Sequence, residues 1–377
     1  MMRIGIDARS VHPGHGGIGT YARELVRALA RIDRQNQYFI VCTDRKGPEP
    51  IATAPSVTEI SCRAAMLDWG WEQLQLPALA EDLELDVLHL TCFGALIAKP
   101  CRVVSTIHDV VFRERPELVE PRLAASLDRA ASLAAREADH VITVSDYSRE
   151  AIGRAYHIPL DRISVVYPAA GSEFRPIARQ EAARRVEERF GLQPGYLLYV
   201  GALEPKKNID GLLDAFSRVL RDGFADQVLV LAGGEGGMPY DLERAVRARR
   251  IESSVLALGY VPDADLPWLY TAAGAFVYPS FYEGFGLPPL EAMACGTPTI
   301  VSRATCLPEV VGEAALLVDP ERPEEMAEAI ARVLADRALA AELSRRGLEQ
   351  SGRFSWERAA ARTLEVYSLV ARLAGVS

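Results

Sequence analysis

A chain of 377 residues with a net charge of −9, 49 % hydrophobic and 25 % charged residues is too long for one ordinary core and has the make-up of a soluble globular protein. Neither half has the basic excess of a nucleic-acid binder, and no apolar run approaches the ~20 residues of a membrane helix. Six cysteines (42, 62, 92, 101, 295 and 306) without CxxC spacing argue against a disulfide framework or zinc site, and for small buried hydrophobes in a reducing compartment.

The N-terminal MMRIGIDARS lacks the apolar core of a signal peptide, so a cytoplasmic protein is expected. Within it RIGID (3–7) is a predicted strand, followed by the loop GHGGIG (14–19) and the predicted helix TYARELVRALARID. The loop fits G-x-G-x-x-G, and Asp44, ending the next predicted strand YFIVCTD, sits where a ribose-binding acid belongs. The dinucleotide fingerprint needs its first glycine directly after the strand, however, and ARSVHP intervenes after Asp7. A looser role fits better, with backbone N–H groups at a helix start set against phosphate. Arg23, Arg27 and Arg31 share a helix face by i, i+4 spacing; a solvated stripe is favoured over contact with anionic lipid. LDWGWEQLQLP (67–77) carries Trp69 and Trp71, which either stack on sugar rings or join the core.

DVLHL, RVVSTIHD and HVITVS are further predicted strands, separated by helical segments such as PRLAASLDRAASLAAREAD. His108 lies near a strand end, before Asp109, where an imidazole meets a substrate hydroxyl or a developing charge. All six histidines lie at or before His157, so any histidine chemistry comes from the first half. AAGSEFRPIAR (169–179) has linker composition. The pattern restarts at YLLYVGALEPKKNIDGLLDAFSRVL (196–220), and QVLVLAGG, VLALGYV, AFVYPS, TPTIVS and AALLVD supply the later strands. Strands and helices alternating twice predict an α/β chain of two doubly wound domains, 1–173 and 174–357, with ligand loops converging on a cleft at the carboxyl ends of the strands.

Two loops of the second half carry candidate chemistry. In VGALEPKKN (200–208), Lys206 and Lys207 precede Asn208, a plausible cap; lysines there oppose the helix dipole unless an anion such as a diphosphate lies between them. In FYEGFGLPPLE (281–291), Pro288 and Pro289 suit a helix's first turn, and Glu291 would sit in that turn, where the dipole favours a carboxylate anyway. Glu283 follows a strand, and GFG behind it offers backbone donors. Carboxylates that accept from vicinal hydroxyls, next to donors suited to phosphate, read as a nucleotide-sugar site. The only Asp-x-Asp, DAD at 263–265, reads as a helix cap ahead of a metal site, so no metal is expected.

PSFYEGFGLPPLEAMACGTP resembles the Glu-x7-Glu signature of retaining GT-B glycosyltransferases of family 4. The resemblance continues through SRATCLPEVVGEAALLVDP and covers GIDARS…GGIGTYARELVRAL, TIHDVVF, ADHVITVSDYSRE, ISVVYPAAGSEFRP, VGALEPKKN and FSWERAAARTLEVYSLV. It implies a GT-B fold of two Rossmann-like domains about a central cleft, with about 358–377 returning as a helix onto the first. It implies that Glu291 binds the donor's ribose and Glu283 the transferred sugar. Phe285, Gly286 and Leu287 offer N–H groups, Lys207 holds the diphosphate, and Gly16 and Gly17 approach it. His108 meets the sugar near the reacting carbon, and Tyr260 and Val261 contact the base. Many relatives carry Arg where this chain has Ala202, and Lys206 stands in as the second cation. The implied reaction moves a hexose with retention, without cofactor or metal, best guessed as mannose from GDP-mannose. UDP-hexoses and dTDP-rhamnose are the other donors weighed. The implied acceptor is a saccharide or polyprenyl-linked glycan in cell-surface polysaccharide synthesis, with peripheral contact at the inner membrane face. The competing readings are a sugar-nucleotide epimerase and a non-catalytic subunit.

Overall fold

The computed structural model describes residues 1–11, 16–43, 50–63 and 69–372. Asp44, and with it the ribose-acid reading, lies outside the described residues. The chain forms two compact units, one of residues 1–117, 121–168 and 355–377, the other of 118–120 and 169–354.

The sheet of the first unit contains β1 (Arg3–Asp7), β2 (Gln37–Thr43), β3 (Val57–Cys62), β4 (Val87–Leu90), β5 (Arg102–Thr106), β6 (His140–Thr143) and β7 (Ile163–Val165). All are parallel, in the order β3-β2-β1-β4-β5-β6-β7. The second unit has β8 (Leu197–Val200), β9 (Leu229–Ala232), β10 (Val255–Gly259), β11 (Ala275–Tyr278), β12 (Thr299–Ser302) and β13 (Leu316–Val318). These are again parallel, in the order β10-β9-β8-β11-β12-β13. β4, β6, β8, β9, β11 and β12 are buried at every residue, as strands covered by helices on both faces must be. Strand order reverses between β1 and β4, and between β8 and β11. The loops beyond the carboxyl ends of those pairs are where ligands bind in such sheets.

The second unit begins at Ala169 rather than at 174 because Ala169 and Phe174 are both buried and Phe174 belongs to that unit's core, edge-on to Tyr270 at 5.9 Å. At the other end, the helix Trp356–Arg372 belongs to the first unit and packs on the helix Gly17–Ile32, β4 and β5. Its Tyr367 hydroxyl lies 2.7 Å from Nδ1 of His89, a fully buried residue of β4 whose Nε2 is 2.8 Å from Thr106 Oγ1. A histidine inside a parallel sheet is tolerated because both ring nitrogens are bonded.

Candidate active site

In the second unit the loops after β8 and β11 are stitched together. The Phe281 amide donates to the Lys206 carbonyl at 3.0 Å, and Ser280 Oγ lies 3.3 Å from the same oxygen. Asn208 adopts φ 57° and caps the helix Ile209–Arg221, its Oδ1 accepting from Gly211 N at 3.1 Å. Its Nδ2 donates to the carbonyls of Pro279 (3.2 Å) and Pro320 (2.7 Å), so one buried amide joins the loops after β8, β11 and β13. Asn208→Ala is expected to destabilise this unit by about 2–4 kcal/mol, summing a lost cap and two orphaned carbonyls. The check is urea unfolding; a change under about 0.5 kcal/mol would show that the staple is redundant. At Gly233 (φ 159°) an added Cβ would lie 1.8 Å from the Gly201 carbonyl oxygen, so close approach of the loops after β8 and β9 demands glycine.

Glu283 and Lys207 meet inside this framework. Oε1 of Glu283 accepts from Lys207 Nζ at 2.6 Å, Ser280 Oγ at 2.5 Å and the Tyr278 hydroxyl at 3.0 Å. Lys207 Nζ also donates to Tyr278 Oη at 2.9 Å. Among the described residues no partner falls on Glu283 Oε2 or on the third N–H of Lys207. One carboxylate oxygen is thus anchored and the other presented. Burial alone would raise the Glu283 pKa; the ammonium groups of Lys207 and Lys206 and the Ser280 hydroxyl outweigh it and hold the pKa below the usual range. Burial would likewise lower that of Lys207, and the Glu283 carboxylate overcomes this and raises it. Both are charged at neutral pH. Lys206 Nζ lies 3.8 Å from Glu204, whose Oε2 accepts from Gly237 N at 3.1 Å.

Beyond Glu283 the helix Leu287–Ala294 begins at Gly286 (φ 98°), with no side-chain cap and no acidic residue in its first turn. Pro288 and Pro289 have no N–H, which leaves Gly286 and Leu287 as the amides at this helix start, a donor pair suited to an anion. Phe285 is buried edge-on to Phe354 at 5.7 Å. Glu291 lies in the second turn, not the first, so the dipole does not account for it; Tyr270 donates to its Oε2 at 2.9 Å. Tyr260 follows β10 with 60 % of its surface exposed, beside buried Val261. Asp265 precedes the helix Leu266–Ala272 but makes no capping bond; it lies 3.6 Å from Arg189 instead.

In the first unit His108 follows β5 and is buried. Its Nε2 lies 2.8 Å from the Thr91 carbonyl, which can only accept, so Nε2 carries the hydrogen and Nδ1 keeps its lone pair. Burial holds its pKa below the ordinary value against the opposing effects of that carbonyl and Asp109. Tyr21 packs edge-on to the imidazole at 4.9 Å, and Phe93 lies at 6.2 Å. Gly16 and Gly17 are exposed at the start of the helix Gly17–Ile32, which has no side-chain cap, and a Cβ at Gly16 would touch nothing. Trp71 is not a stacking platform. It is buried, and the guanidinium of Arg9 covers its ring at 4.3 Å while bonding Asp7 and Glu72, each at 2.8 Å. Trp69 remains exposed. The arginine stripe is paired: Arg23 and Arg27 each lie 2.9 Å from Glu24, and Arg31 lies 3.0 Å from Glu357.

Residues 15–171 match the family described as Glycosyltransferase Family 4, and residues 180–350 match Glycosyl transferases group 1. The O-antigen chain mannosyltransferase B of Escherichia coli is 39 % identical over 269 residues, 71 % of this chain and 71 % of that one. The chain belongs to glycosyltransferase family 4. The glycosyltransferase is also 32 % identical over 236 residues to the serotype-specific mannosyltransferase WbdA of E. coli, spanning 61 % of its own length but 29 % of that relative's. Among solved structures it matches sucrose-phosphate synthase from Thermosynechococcus elongatus with a TM-score of 0.78 over 100 % of both chains at 24 % identity. It matches HepE of Anabaena, in complex with UDP and glucose, with a TM-score of 0.75 over 98 % of this chain and 100 % of that one at 19 % identity. These likenesses establish a GT-B fold of two Rossmann-like domains. No helix among the described residues of the glycosyltransferase is long and apolar enough to cross a membrane.

The spacing of Glu283 and Glu291 is legible in sequence; their supports are not. Tyr270, Tyr278 and Ser280 hold the two carboxylates in the glycosyltransferase. The one available signal is a tyrosine ending the apolar strand AFVY, where it points into a ligand loop.

Proposed function

We propose that the protein is a retaining hexosyltransferase that takes its sugar from a nucleotide-diphosphate donor, with GDP-mannose the favoured donor, and passes it to a saccharide or polyprenyl-linked acceptor in bacterial cell-surface polysaccharide synthesis. The observation that carries this reading is the buried Lys207–Glu283 pair at the β8/β11 reversal, with one carboxylate oxygen and one ammonium hydrogen left for a ligand. The likeness to E. coli mannosyltransferases supports the choice of mannose.

In this reading Glu283 Oε2 accepts from hydroxyls of the transferred sugar, and Glu291 binds the ribose. Lys207, with the amides of Gly286 and Leu287, stabilises the departing diphosphate, the charge that most needs stabilising. Lys206 supplies the positive charge that Ala202 does not. In the first unit Gly16 and Gly17 offer uncapped helix amides to phosphate, and in the second Tyr260 and Val261 take the base. His108 accepts at Nδ1 from a sugar hydroxyl. The bond from the anomeric carbon to the diphosphate oxygen breaks while the acceptor oxygen bonds that carbon from the same face. The acceptor's proton passes to the leaving phosphate. A glycosyl adduct trapped on an Asp or Glu would replace this with two displacements. No metal takes part, and the protein works at the inner face of the membrane.

Thermal denaturation in the presence of GDP-, UDP-, dTDP- and ADP-sugars, each with and without EDTA, tests the donor. A ligand at 100 times its Kd adds about 2.7 kcal/mol of apparent stability. A shift with GDP-mannose that survives EDTA is expected. A shift confined to UDP- or dTDP-sugars reassigns the donor, and one abolished by EDTA brings in a metal. Silence throughout favours a non-catalytic subunit, and a new sugar nucleotide formed without acceptor favours an epimerase.

A further inference from the structure

Behind the loop of Glu283 to Gly286 stand two residues that the proposed chemistry does not use. Cys306 is fully buried, and its single S–H is within reach of two carbonyl oxygens, Glu283 O and Phe285 O, each 3.2 Å from Sγ. Beside it, Thr305 Oγ1 accepts from the Glu283 amide at 3.1 Å. Thr305 holds φ 53°, a left-handed conformation that a β-branched residue keeps only where its surroundings over-determine it. The backbone of Glu283 is therefore gripped at both its N–H and its C=O.

A trans peptide unit is planar, with its C=O and N–H pointing in opposite directions. Drawing the Phe285 carbonyl onto the thiol turns the N–H of the same unit, that of Gly286, away from Cys306. That amide is one of the two, with Leu287 N–H, at the start of the helix Leu287–Ala294, where Pro288 and Pro289 have none. Gly286 holds φ 98°, a conformation in which any residue with a side chain would be strained, so the plane is not set by a side chain of its own.

We propose that Cys306 is a positioning residue for the donor's diphosphate: its thiol fixes the peptide planes of the 283–286 loop so that the Gly286 N–H is aimed at the bound anion. This rests on the reading of the loop as the donor site. A hydroxyl at 306 can donate to the same carbonyls; a methyl or isopropyl group cannot.

The test compares Cys306→Ser, Cys306→Ala and the near-isosteric Cys306→Val, the last in case the alanine variant folds poorly. Binding of GDP, UDP, dTDP and ADP is titrated, each against its own nucleoside. The expected result is a loss of about tenfold in nucleoside-diphosphate affinity in the alanine and valine variants, the scale of one hydrogen bond to a charged group. Nucleoside affinity should be unchanged, and serine should restore diphosphate binding to within about twofold. Wild-type diphosphate affinity in both the alanine and valine variants overturns the proposal, as does an equal loss for nucleoside and diphosphate, which would make Cys306 a general support of the fold. A wild-type protein that binds none of the diphosphates overturns the donor-site reading itself, and this inference with it.

Discussion

Glu283→Gln is expected to lower turnover by about 10²–10³-fold, the usual consequence of removing one preorganised polar group from a reacting centre. The amide also leaves the buried Lys207 ammonium without its counter-charge, an imbalance worth about 3–5 kcal/mol where it has been studied. Loss of activity alone would therefore be ambiguous. Pairing Glu283→Gln with Lys207→Met removes the orphaned charge along with its partner, so the double variant should regain most of the lost stability and remain inactive. Steady-state kinetics and urea unfolding of the two single variants and the double close a thermodynamic cycle. Near-normal turnover in a folded Glu283→Gln protein would remove this carboxylate from the reacting centre.

Acid should unfold the first unit well before the second. Burial, reinforced by neighbouring His108, pushes the pKa of His89 down to about 3. Burial, reinforced by Arg162 and Arg362 and partly offset by Asp161, pushes that of His140 down to about 4. Both are lowered, so between these values and the ordinary ~6.5 the unfolded chain binds protons that the native chain does not, and stability falls as pH falls. Each histidine's cost approaches about 1.4 kcal/mol per pH unit once the unfolded imidazole is protonated, so the two together remove about 3 kcal/mol between pH 6.5 and 5. His108, lowered by burial as well, adds to this. The second unit, residues 118–120 and 169–354, contains no histidine and lacks the effect. Calorimetry at pH 7, 6 and 5 should show one transition moving down while the other holds. Parallel movement of both would mean that the histidines are not what sets acid stability.

What could be read from sequence follows from where the information resides. Strands buried on both faces, such as LLYV, LVLA and AFVY, stand out as continuous apolar runs. β3 and β7 do not: the first is an edge strand of mixed exposure reading VTEISC, the second has three residues, and both take their register from a neighbour. Glu283 and Lys207 are marked by punctuation, glycines and prolines on one side and a capping asparagine on the other. Their union is a long-range event between the loops of two strands that neighbour only in the folded sheet. Trp71 shows the same limit from the other direction. The ring is conspicuous in sequence, but its fate is decided by Arg9, far away along the chain and itself buried only because Asp7 and Glu72 receive it. Of the two DAD carboxylates that could cap, Asp265 makes no capping bond and lies 3.6 Å from Arg189.

The helix Trp356–Arg372 has a consequence for biosynthesis. The first unit is not finished when its last strand, β7, has been made. It waits for the C-terminal segment, and until Tyr367 arrives Nδ1 of His89 has no partner in the sheet interior. During synthesis the second unit is contiguous from Ala169 to Phe354 apart from three residues and can close on itself while the first is still open. Of the two units, the one begun earlier is thus completed later, and a premature stop within Trp356–Arg372 would spare the later-made unit and strand the earlier one.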